Sequence, residues 1–108
     1  MKQLHNSLPT PVDGGLRQLG AAIRAARVRR RLRATIVAER AGIAHTTLIR
    51  IERGEPTVAM GSYAAVLWAL GLLDHLVSLA QPAEDVVGLE LEESRLPQRV
   101  RRAREERP

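Results

Sequence analysis

Three glycines limit how long any regular element in the middle of this chain can be. Gly42 falls where a helix C-terminus favours a left-handed residue, and Gly54 and Gly71 stop the next two helical segments. Pro56 stands just beyond Gly54 and prevents any continuation. A chain punctuated this way is confined to short helices joined by tight corners. The available side chains agree. Of the 108 residues, 44% are hydrophobic but only 2% aromatic, namely Tyr63 and Trp68, with no Phe. A core of Leu, Ile, Val and Ala suits packed helices better than a sheet, and the length points to one small domain.

Apolar spacing places the elements. Leu16, Leu19, Ile23 and Ala26 recur at intervals of three and four and predict a first helix over about 16–30. Asp13 is its candidate cap, and residues 1–13, with Pro9 and Pro11, read as a mobile arm. A second helix over 35–41 turns Val37, Ala38 and Ala41 inward, and Ile43 is the buried residue of the corner that follows. The third, over 45–53, has Leu48 and Ile51 on its inner side. The fourth spans 62–70, with Tyr63, Val66, Leu67 and Leu70 as its apolar face, and the fifth spans 72–80 before Pro82. Residues 14–81 thus form the domain, and 82–108 form an extension. In that extension Val87, Leu89 and Leu91 alternate with Gly88, Glu90 and Glu92. This is the period of a strand, which would need a partner strand; a short helix is the other reading. The expected fold is all-α, five helices followed by a C-terminal tail with a possible short strand.

Charge is distributed unevenly. The net charge is +5, and arginine supplies 16 of the 17 basic residues. Residues 17–33 carry seven arginines and no acid; residues 84–93 carry Glu84, Asp85, Glu90, Glu92 and Glu93 and no base. Residues 95–107 are basic again, with six arginines. A basic face, an acidic connector and a basic tail read as separate working surfaces, the first suited to a polyanion such as nucleic acid. Cysteine is absent, which excludes disulfides and thiolate zinc sites. His5, His45 and His75 lie too far apart in sequence to suggest a metal site. No nucleophile stands beside a base, and Gly14–Gly15 lacks the rest of any nucleotide fingerprint, so neither an enzyme nor a cofactor is expected. No apolar run reaches membrane-spanning length, and the expectation is a soluble protein of the cytoplasm with no membrane partner.

Five short helices with a tight glycine corner between the second and third describe a helix-turn-helix, whose third helix is a rod that fits the DNA major groove. The stretch AERAGIAHTTLIRIERGEPTV resembles the XRE-type, lambda-repressor-like helix-turn-helix family, over about residues 16–73. The RAGI corner, the TTL start of the third helix and the closing RIERG carry the resemblance together. It implies double-stranded DNA as partner, with a palindromic operator read by a homodimer. On the third helix, His45, Thr46, Ile49 and Arg50 face outward and are the candidate base readers. Arg50 has the donors for a guanine edge, His45 can donate or accept one bond, and the methyls of Thr46 and Ile49 can pack on a thymine methyl. Phosphate candidates are Arg29, Arg30 and Arg33 near the first corner, Thr35 and Thr47 in the reading helices, and Arg53, Thr57 and Ser62 around the loop into the fourth helix. The family also implies that Arg27 of the first helix pairs with Glu52 as a structural tie.

The resemblance departs at two places. The family usually opens its second helix with Thr-Gln, where this chain has Arg33 and Ala34, and it often places Ser or Thr before the third helix, where this chain has Ala44. Some of Tyr63, Trp68, Leu72, Leu73, Leu76, Val77 and Leu79 are expected to form the dimer face. The segment after Gly71 is similar to the C-terminal extensions of HipB-like antitoxins, which implies a HipA-type kinase toxin as a further partner and autoregulation of the operon. The alternatives are a stand-alone XRE-type regulator and a protein-interaction module on the same fold.

Overall fold

The computed structural model describes residues 8–95; most of the expected arm and most of the basic tail lie outside the described residues. The chain divides into two compact units, Met1–Leu76 and Val77–Pro108. Helix α1 spans Thr10–Arg29, α2 Ala34–Ala41, α3 His45–Glu52, α4 Met60–Ala69 and α5 Leu73–Val77. In the second unit a single 3-10 turn, Pro82–Glu84, precedes α6, Val86–Arg95. No strand occurs among the described residues, and the fold is all-α.

Helix α1 starts at Thr10, six residues before the expected start at 16. Pro9 is its N-cap residue, and Pro11 sits in the first turn, where a missing N–H leaves no bond unmade. Asp13 does not cap. It lies inside the first turn, where a negative charge suits the helix dipole, and pairs with Arg17 at 3.2 Å.

The buried face of α1 is also shifted from the expected stripe. Ile23 and Ala26 are buried, but Leu19 is 37% exposed and Leu16 half-buried. Gly20 takes the buried place. A Cβ on Gly20 would stand 2.5 Å from the Gly54 nitrogen and 2.6 Å from the Ile51 carbonyl oxygen. A Cβ on Gly54 would in turn collide with the backbone of Leu16 and Arg17. Helix α1 therefore rests backbone to backbone on the end of α3. Leu16 and Leu19 instead border an apolar groove of about 290 Å³ with Pro56, Val58, Leu67 and Leu76.

Around this contact the core closes with aliphatic side chains. Val37 and Ala38 enter from α2, Leu48 and Ile51 from α3, and Tyr63, Val66, Leu67 and Leu70 from α4 and its end. Helix α2 packs against α3 and α4, and α1 against α3. Val37, Leu48, Ile51 and Val66 are 0% exposed; full burial of such a side chain contributes about 2 kcal/mol. Leu72 and Leu76 pack partly against this core, whereas Trp68 is 60% exposed.

The ends of α1 to α4 share one hydrogen-bond pattern. In each, a residue beyond the helix returns its N–H to a carbonyl five positions back: Leu32 to Arg27, Ile43 to Ala38, Glu55 to Arg50, Leu72 to Leu67. The residue before each of these four is left-handed. Gly42 (φ 71°), Gly54 (φ 73°) and Gly71 (φ 78°) take that conformation readily, and Arg31 (φ 55°) takes it without being glycine. Ile43 is half-buried and packs on the core from its corner.

The second unit corrects the strand reading of the alternating segment. Val86–Arg95 is helical because Asp85 starts it: the Gly88 N–H donates to Asp85 Oδ1 at 3.1 Å and the Leu89 N–H to the Asp85 carbonyl at 2.9 Å. The bare Cα of Gly88 leaves room for that carboxylate. Helix α5 is also shorter than the expected 72–80.

The glycine contact makes a sharp prediction. Gly20→Ala forces two backbones apart and should destabilise the fold by about 2 kcal/mol or more. Gly15→Ala, in the same helix with nothing within 4 Å of the new methyl, should stabilise it by about 0.5–1 kcal/mol. Thermal unfolding of the two variants measures both, and equal shifts would refute the close packing.

Candidate nucleic-acid interface

Helix α3 is held from inside and open on the outside. Leu48 and Ile51 are completely buried, while His45 and Thr46 are exposed and Ile49 is half-buried. The far end of the helix is tied from behind. Arg27 Nε donates to Glu52 Oε2 at 2.7 Å and Arg27 Nη2 to Glu52 Oε1 at 3.1 Å. Arg27 Nη1 also donates to the Leu32 carbonyl at 3.0 Å, so one guanidinium joins α1, α3 and the first corner. The two side chains are only 14% and 10% exposed. The bonds to Glu52 raise the Arg27 pKa above its ordinary value against the opposing effect of burial.

The phosphate candidates have different fates. Arg29, Arg33, Thr35 and Arg53 are exposed, and their side chains bond to nothing among the described residues. Thr47 and Ser62 are half-buried, in the first turns of α3 and α4. Arg30 is engaged, since its Nη1 donates to the Ala26 carbonyl at 3.0 Å and so covers the end of α1. Thr57 is engaged too: its hydroxyl accepts from Arg50 Nη2 at 2.6 Å.

Arg50 is the residue whose setting was least visible in the sequence. Besides the Thr57 bond, its Nε donates to Glu55 Oε1 at 3.0 Å. The Arg50 side chain remains 43% exposed and that of Glu55 35%. Sequence reasoning missed Glu55 altogether. The available signal was its spacing: the left-handed Gly54 folds residue 55 back over residue 50, so a carboxylate there meets an arginine. Tyr63 secures the same loop from the core by donating its hydroxyl to the Glu55 carbonyl at 2.8 Å.

No side chain caps the starts of α2, α3 or α4, whose N-cap residues are Arg33, Ala44 and Ala59. Their first N–H groups have no side-chain partner, the arrangement that favours an anion. Arg33 and Thr35 flank one such start, His45 and Thr46 another.

A family model described as a helix-turn-helix domain matches residues 18–80, more than half of the 108-residue chain. The chain belongs to this helix-turn-helix family. No curated protein matches it, and no solved structure matches it. In the helix-turn-helix, α2 and α3 are the paired helices and Gly42 is their corner, which agrees with the XRE-type resemblance. The family is a DNA-binding one, so a DNA-binding regulator is the functional class supported. Among the described residues, no helix is long and apolar enough to cross a membrane, and no cluster of His, Asp and Glu is able to hold a metal ion.

Two measurements test the supports of this helix-turn-helix. Glu52→Gln leaves Arg27 buried without its counter-charge and should destabilise by about 3 kcal/mol. The double variant Arg27→Met/Glu52→Leu should cost less than Glu52→Gln alone, as read by urea unfolding; additive losses would show that the pair is not the tie. Burial first, and the Glu55 carboxylate second, push the Tyr63 phenol up from its ordinary 10.0. The folded state therefore favours the neutral phenol, and this contribution to stability is present below pH 10 and lost as pH rises through the raised value. Tyr63 is the only tyrosine, so phenolate absorbance reports it alone, and its midpoint should lie above 10.0.

Proposed function

We propose that this protein is a sequence-specific, double-stranded DNA-binding transcriptional repressor that acts as a homodimer on a two-fold operator. The observation that supports it is α3 itself. Its inner side is wholly buried, its end is tied by Arg27 and Glu52, and His45 and Thr46 stand exposed at an uncapped start. His45, Thr46, Ile49 and Arg50 read base edges in this proposal. Arg29, Arg33, Thr35, Thr47, Arg53 and Ser62 contact phosphates. Arg30 and Thr57 remain within the interface but spend one bond each inside the protein. Trp68, 60% exposed on α4, is the natural centre of a dimer contact.

A second role in the same proposal is that of antitoxin, in which the extension over residues 82–108 binds a HipA-type kinase and the protein represses its own operon in the bacterial cytoplasm. It is favoured by the exposed apolar side chains of α6, since Val86, Val87, Leu89 and Leu91 are 60%, 67%, 41% and 49% exposed.

The test is binding to the DNA upstream of the protein's own coding sequence, against random DNA, over a salt series. The wild type should prefer its own upstream DNA, and log K should fall steeply with log salt, by about 0.9 for each phosphate neutralised. Arg33→Ala should reduce that slope by about one with specificity unchanged, while Arg50→Ala should lose about 1–3 kcal/mol of preference. If neither the wild type nor Arg33→Ala prefers its upstream DNA at any salt, the fold serves protein partners instead.

A further inference from the structure

We propose that Glu55 and Thr57 are positioning residues that hold Arg50 ready for a guanine, so that the base preference of this helix is set partly from the loop behind it. The inference rests on the DNA-reading role of α3 and goes beyond it by assigning the orientation of one reader to two residues that touch no base.

The geometry of the guanidinium carries it. An arginine head has five N–H donors on a rigid plane. Nε–H and the adjacent Nη2–H form one edge. Both are used inside the protein, by Glu55 at 3.0 Å and by Thr57 at 2.6 Å. The opposite edge, made of Nη1 and the second hydrogen of Nη2, has no protein partner among the described residues. This edge presents two parallel donors, the pattern that matches guanine O6 and N7. The internal bonds therefore consume one edge and aim the other.

The backbone of Glu55 is itself fixed on both sides. The Glu55 N–H donates to the Arg50 carbonyl at 3.1 Å, and the Glu55 carbonyl accepts from Tyr63 at 2.8 Å. The carboxylate thus projects from a backbone anchored to α3 and to the core. A long, rotamer-rich side chain ordered before it meets its ligand loses less freedom on binding. An unbraced Arg50 could satisfy itself on any nearby phosphate, which carries no sequence information.

Glu55 should also act in the opposite direction on overall affinity, because its negative charge stands near a polyanion. This separates positioning from mere structural support. Loss of a structural prop lowers every affinity together; loss of this brace should raise affinity for random DNA while lowering discrimination at one base pair.

The experiment begins with selection from a randomised double-stranded DNA pool by the wild-type protein. The selected site is then compared with single base-pair variants for wild type, Arg50→Ala, Glu55→Ala, Thr57→Val and Thr57→Ser. Arg50→Ala should abolish discrimination at one G·C pair per half-site, about tenfold or more in the wild type. Glu55→Ala and Thr57→Val should cut discrimination at that same pair by about threefold to tenfold, with the other positions of the site read as before. Thr57→Ser, which keeps the hydroxyl, should restore it, and Glu55→Ala should bind random DNA more tightly than wild type. Unchanged discrimination in Glu55→Ala and Thr57→Val would overturn the inference while leaving the DNA-reading role intact. Increased discrimination in those variants would also overturn it, since the loop would then be withholding Arg50 from the base. If the wild type selects no site at all, the DNA-reading role and the inference fall together.

Discussion

The approach of α3 to α1 follows from the absence of two Cβ atoms. With Gly20 facing Gly54, the backbone of α1 meets the backbone at the end of α3, with no side chain between them. At that separation the next contact along the same pair of helices is within reach of a direct ion pair, and Arg27 and Glu52 supply it. A methyl group at either glycine would move α1 outward and pull the guanidinium from its partner. The two contacts are therefore one device. Close packing sets the distance, and the charged pair fixes the angle at which the outer face of α3 is presented.

The corners obey a second common rule. Each of the first four helices closes with the same five-residue return, and what differs is the pair of side chains brought together at that spacing. At the helix-turn-helix corner and after α4 the pairs are apolar, Ala38 with Ile43 and Leu67 with Leu72, and they feed the core. After α3 the pair is Arg50 with Glu55, and it faces water. One backbone solution thus serves packing on the inside and chemistry on the outside, according to which residues occupy the two positions.

Much of this was legible beforehand. The starts and ends of α2 and α3 follow from short apolar spacing and a glycine stop, both local signals. Other features were hidden for physical reasons. The start of α1 resembles a loop, with Pro9, Pro11, Gly14 and Gly15 in succession, yet proline is tolerated in a first helical turn and a long helix packed further along carries Gly14 and Gly15. The role of Gly20 is a tertiary fact, since no local pattern separates a glycine that permits contact from one that merely tolerates helix. The alternation after Pro82 has the period of a strand, but a capping aspartate, with no strand to pair with among the described residues, decides for helix. The Arg50 setting depends on a return turn that brings together residues five apart, a spacing outside the usual helical one.

The exposure of His45 and Thr46 has a consequence for how such a protein changes over generations. Neither side chain bonds to the rest of the described fold, so each is free to vary singly, and the sites the protein prefers can drift without endangering its folding. Arg50 is not free in this way. Its replacement removes the partner that both the Glu55 carboxylate and the Thr57 hydroxyl bond, so these three positions should covary across descendants. One helix would then combine a part of its vocabulary that turns over quickly with a part that turns over only in blocks.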